Sequence, residues 1–105
     1  MLPEGFSWTT VLPGDLLATA LDVNGIAVCR MHDRVNGTWF VYLDRHLPPP
    51  NGALTHPTRD CSSYEQGRAG CEIWATRHQE RLRAETAAIA HQRAIDRGTI
   101  KGERW

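Results

Sequence analysis

The chain contains a single lysine, three cysteines and no apolar run of bilayer-spanning length. Each shortage excludes something. A membrane-spanning helix needs about 20 consecutive apolar residues, so none is expected. Twelve basic groups are balanced by twelve acidic ones, which removes the cationic excess that general nucleic-acid binding needs. Any nucleic-acid role must therefore come from a local patch. Cys29, Cys61 and Cys71 cannot all pair within one chain, and their spacing fits no disulfide framework. A reducing, cytoplasmic setting follows as the expectation, and no basic segment precedes an apolar run to suggest a signal peptide. No Cys or His pair has the short spacing of a structural zinc site, so neither metal nor cofactor is expected.

At 105 residues the chain has room for one domain, with one sheet and one helical layer. Its charges are mildly polarised: residues 1–58 carry three Arg and five acids, residues 59–105 nine basic groups and seven acids. Eleven of the twelve basic side chains are Arg, as a GC-rich genome alone would produce.

The strongest structural signal is Val-Asn-Gly, present at Val23–Gly25 and again at Val35–Gly37, each time between strand-like runs. Two hairpins are expected, joining strands over Leu16–Asp22, Ile26–Asp33 and Thr38–Arg45. Register decides which side chains share a face. A three-residue loop through Val35, Asn36 and Gly37, with the glycine left-handed, groups Ala27, Cys29 and Met31 with Trp39, Val41 and Leu43 as a core face. The same loop at the first repeat brings Leu17, Thr19 and Leu21 to that side. The opposite face then carries Val28, Arg30, His32 and Arg34 beside Phe40, Tyr42, Asp44 and His46.

The flanks read differently. Pro3, Gly5, Pro13 and Gly14 make residues 1–15 an irregular lead-in, and Pro48–Pro50 with Gly52 and Pro57 make residues 47–61 a loop. Ser62 and Glu65 form a capping-box pattern, so a helix is expected to start near Ser63 and run over residues 62–97. Tyr64, Cys71, Trp74, His78, Leu82 and Ile89 keep helical spacing, and Gly67 fits a close approach to the sheet. Unbroken, such a helix is about 50 Å long. A three-stranded sheet cannot cover it, so the Ala-rich seam of Ala87, Ala88, Ile89, Ala90, Ala94 and Ile95 is expected to drive self-association into a homodimer. Gly98 ends the helix, and residues 98–105 read as a flexible tail.

Arg30, His32, Arg34, Phe40 and Tyr42 form the candidate binding site, since aromatic rings and guanidinium groups suit both single-stranded nucleic acid and protein partners. The competing reading is an ordinary solvent-facing side of a two-layer domain. Asp44, Arg45 and His46 are a weak catalytic set, because adjacent strand residues point to alternating faces. An enzyme would instead need a pocket joining His46, His56 and Cys61, with Cys61 activated by the nearby helix N-terminus. The mixed-sign charges of the helix read as a solvated face.

This order of elements, with Gly37–Val41 closing the meander and a Ser-capped helix carrying Trp74, resembles small uncharacterised proteins encoded by bacteriophages and prophages. It is also similar in topology to the three-stranded-sheet-plus-helix DNA-binding domains of phage integrases and plant AP2 factors, without their basic sheet. The expectation is an α+β protein of βββα order. Its expected role is non-enzymatic docking on a macromolecule, protein rather than nucleic acid, an inhibitor of a host-defence complex being one form. The alternative is a nucleic-acid-binding regulator.

Overall fold

The computed structural model describes residues 2–98. Five strands, β1 (Phe6–Thr9), β2 (Ala20–Val23), β3 (Ile26–Asp33), β4 (Trp39–Leu43) and β5 (Thr58–Cys61), precede two helices, α1 (Tyr64–Arg77) and α2 (Gln79–Asp96). The strands form one antiparallel sheet in chain order. The α+β class is as expected, but three strands and one helix understate it. The lead-in 1–15 and the loop 47–61 each hide a four-residue edge strand, too short between its flanking breakers to announce itself.

The second hairpin has the expected loop. Arg34 and Thr38 pair, the Gly37 amide donates to the Arg34 carbonyl, and Gly37 adopts a φ of 84°. Cys29 then stands opposite Leu43, Met31 opposite Val41 and His32 opposite Phe40. The first hairpin differs: Val23 pairs with Ile26 across a two-residue turn in which Asn24 and Gly25 both have positive φ. Asn-Gly suits that mirror-image turn, whose twist matches the strands.

The two-residue turn would by itself place Cys29 on the wrong face. The sheet corrects this with a bulge, Leu21 pairing with Cys29 but Asp22 with Ala27, so that Val28 has no partner in β2. Val28 and Cys29 consequently both enter the core, with Leu21, Val23, Met31, Val41, Cys71, Ala75 and Leu82. The expectation of Ala27 inside and Val28 outside is thus reversed. Leu16 and Leu17 belong to the exposed β1–β2 loop rather than to a strand.

Ser63 is the N-cap of α1, its hydroxyl accepting from the Gln66 amide at 3.1 Å, while Gln66 Oε1 accepts from Ser62. The box therefore sits one residue later than Ser62–Glu65 suggests. Gly67, Cys71 and Ala75 are the buried stripe of α1. At His78 the helix breaks, without proline or glycine. The Thr76 hydroxyl bonds back to the Glu72 carbonyl, and the carbonyl of Thr76 accepts instead from the Gln79 side chain. Cys71 and Leu82 face the core as the sequence spacing predicts, with Tyr64 and Trp74 packed beside them, but the break leaves His78 exposed and brings Thr86 of α2 inward in its place. Gly98, at φ 73°, ends α2 with its amide on the Ile95 carbonyl. The remainder of the expected tail, residues 99–105, lies outside the described residues.

Candidate functional site

Both helices pack on the face of Leu21, Cys29, Met31 and Val41, which leaves the outer face of the sheet to Arg30, His32, Phe40 and Tyr42. The register that seats the core is what brings these four together, as cross-strand pairs Arg30–Tyr42 and His32–Phe40. The rings form a cluster: His32 stacks on Phe40 at 5.4 Å between centroids, and Tyr42 meets both edge-on, at 5.2 Å from His32 and 5.3 Å from Phe40. His56 extends it, its ring 6.4 Å from that of Tyr42 and its Nε2 donating to the Leu47 carbonyl at 2.6 Å.

Guanidinium groups border the rings. Arg34 lies over Phe40 at 4.6 Å and also pairs with Asp60 at 2.8 Å. Arg45 lies 5.9 Å over Tyr42. Arg30, His32, Tyr42, Arg45, Leu54, Thr55 and His56 line a cleft of about 380 Å³. Burial, then the charges of Arg30 and Arg45, hold the His32 pKa below its ordinary value. All five expected binding residues thus lie on one surface. Arg45, His56 and Leu54 complete it, and sequence reasoning had assigned them to other roles or to a loop.

Asp44 and His46 are not on this face. Asp44 takes a φ of 53°, which ends the strand alternation and turns both side chains toward α2. Asp44 accepts from Arg81 at 2.9 Å, Arg81 also binds Glu85 at 2.8 Å, and Glu85 meets His46 Nε2 at 2.7 Å. Burial opposes the charge of Arg81, but Asp44 and Glu85 outweigh it and raise its pKa. This chain of polar contacts fixes the end of β4 to α2, with the His46 side chain fully buried.

The thiols lie beneath α1. Cys29 and Cys71 meet in the core across the sheet–helix interface, and the contact with Cys71, then burial, pushes the Cys29 thiol well up. Cys61 and Cys71 line a second cavity of about 290 Å³ with Val41, Gly70 and Trp74. Burial, reinforced by Cys71 and Asp60, raises the Cys61 pKa, contrary to the activated thiol considered from sequence. His46 against α2, His56 on the outer face and Cys61 under α1 do not share a pocket. Among the described residues no group of three His, Cys, Asp or Glu side chains is arranged to hold a metal ion. Nor, among those residues, is any helix long and apolar enough to cross a membrane.

The seam expected to self-associate lies on the last turns of α2. Ala87 is exposed, Ile89, Ala90 and Ile95 are half-buried, and Ala94 is buried, so the seam is less open than its composition suggests.

Comparison with protein-family models, with curated proteins and with solved structures finds no match to this chain.

Proposed function

We propose that this chain is a non-enzymatic docking protein whose outer sheet face binds a protein partner. The observation that supports it is the ring cluster of His32, Phe40 and Tyr42 bordered by Arg30, Arg34 and Arg45 on a face that the helices leave open. Aromatic and arginine side chains are the groups that dominate protein interfaces. The alternative, base stacking in a nucleic-acid regulator, needs free ring faces. Here Arg34 covers Phe40, Arg45 borders Tyr42, and Asp60 adds negative charge at the margin.

A phage or mobile-element setting, with inhibition of a host-defence complex as one form of the activity, rests on the resemblance of element order. A cytoplasmic location rests on the cysteine count. Homodimerisation through Ala87, Ile89, Ala90, Ala94 and Ile95 is a separate and weaker reading, because only part of that seam is open.

The test is binding of the purified protein to labelled single-stranded and duplex nucleic acid at low salt, beside chemical cross-linking in cells that express it. A cross-linked protein captured by wild type and lost in Phe40→Ala, with no nucleic-acid binding, supports the proposal. Salt-sensitive nucleic-acid binding lost in the same variant overturns it in favour of the regulator.

A further inference from the structure

The cleft on the outer face has an unusual charge environment. Arg30 and Arg45 line the cleft with His32, and both disfavour its protonation. The ionisable groups around His32 are Arg30 and Asp33 on its own strand, Tyr42 and Arg45 from β4 and its end, and His56 from the following loop. Among the described residues only Asp33 opposes the two guanidinium groups, and it lies outside the cleft lining. Asp60, opposite Phe40 on β5, is already paired with Arg34.

Arg30 Nε is buried and has no hydrogen-bond partner among the described residues. A buried donor without a partner is costly, and native sites commonly satisfy such a group with a ligand or water. The walls are mixed: Tyr42 and the fully exposed Leu54 are apolar, whereas Thr55 and His56 are polar. An apolar stem with a charged end fits such a lining better than a bare inorganic ion does.

We propose that the cleft between Arg30 and Arg45 is an anion subsite that seats the carboxylates of an acidic segment of a protein partner. It rests on the reading of the outer face as a docking surface and adds the chemistry of what docks there. Carboxylates match guanidinium groups in geometry and charge. Glutamate also brings methylene groups to cover Leu54 and Tyr42. Nucleic acid shares the charge but needs the ring faces that Arg34 and Arg45 occupy.

The test follows the His32 ring by NMR during pH titration of the whole protein. Spectra are taken alone, with octaglutamate, and with oligodeoxythymidylate of the same length. A seated carboxylate favours the imidazolium, so octaglutamate is expected to raise the apparent pKa of His32 saturably. Arg45→Ala, at an exposed position that carries no core packing, is expected to weaken that binding about fivefold, in line with loss of one partly exposed ion pair. Arg97→Ala, at the C-cap of α2, is expected to leave it unchanged.

No shift with octaglutamate at low salt, or equal affinity for octaglutamate in wild type and Arg45→Ala, overturns the subsite. Tighter binding of the oligonucleotide overturns the choice of a protein segment. The two levels of the proposal also separate: a cross-linked partner lost in Phe40→Ala but kept in Arg45→Ala leaves the docking face standing without this subsite.

Discussion

The terminal methyl of Met31 stands where Gly67 has no side chain: a β-carbon at position 67 would come within 2.7 Å of it and equally close to the Cys61 sulfur. Helix α1 is seated on the sheet through this gap. Gly67→Ala is expected to destabilise the fold by about 1 kcal/mol in urea denaturation, because overpacking of 1–3 kcal/mol outweighs the helix propensity gained. Gly70, one turn away, has nothing within 4 Å of its β position. Gly70→Ala should therefore stabilise by about 0.5–1 kcal/mol, and the same sign at both positions would contradict the close approach.

Asn24 holds a left-handed turn position while its amide donates to Thr86 Oγ1 at 3.1 Å and to the Arg83 carbonyl at 3.3 Å. It thereby joins the β2–β3 turn to α2. Asn24→Gly keeps the turn but loses the bonds, and a cost of about 1 kcal/mol is expected. Asn24→Ala adds backbone strain and should cost about 1 kcal/mol more. Thermal melts of the two variants give the ordering.

Asp22 has a buried Oδ1 without a partner among the described residues, and burial raises its pKa despite the bond from Thr9. The folded state thus holds the proton more tightly than the unfolded chain. Its contribution to stability is full below the ordinary aspartate pKa and is lost as pH rises through the folded value. Asp22→Asn should flatten that decline, so melting temperatures of variant and wild type are expected to differ more at neutral than at acid pH.

Glu85 links the fully buried His46 ring to α2, while His46 Nδ1 has no partner among the described residues. Removing it leaves a second imidazole nitrogen without one. Glu85→Ala is expected to cost about 1–3 kcal/mol, and Glu85→Gln less because an amide oxygen still accepts from Nε2. Chemical denaturation at neutral pH distinguishes them.

The parts of this fold that were legible in sequence are those with one local solution. Val35-Asn36-Gly37 admits a three-residue bulged turn that also segregates polar from apolar side chains, and it pairs His32 with Phe40 as read. Val23-Asn24-Gly25 looks alike but folds differently, because the bulge at Val28 repairs the register from a distance. That repair depends on β1 and the helices having a continuous core to cover, which no local pattern encodes. The break at His78 was equally hidden: it comes from Thr76 and Gln79 side chains replacing backbone bonds inside a helix-friendly run. The candidate face was legible as far as strand alternation carries. Arg45 joined it, and Asp44 and His46 left it, through the single left-handed residue at Asp44.

Because every strand pairs with its neighbour in the chain, the sheet can assemble in order of synthesis, each hairpin adding to the last. Such short-range pairing favours rapid folding. The helices, however, are made after all five strands, so the apolar side of the nascent sheet is bare until residues 64–86 have left the ribosome. A chain halted near Cys61 would present that surface to other nascent chains, and the C-terminal helices serve the young protein as a lid against aggregation before they serve the mature one as packing.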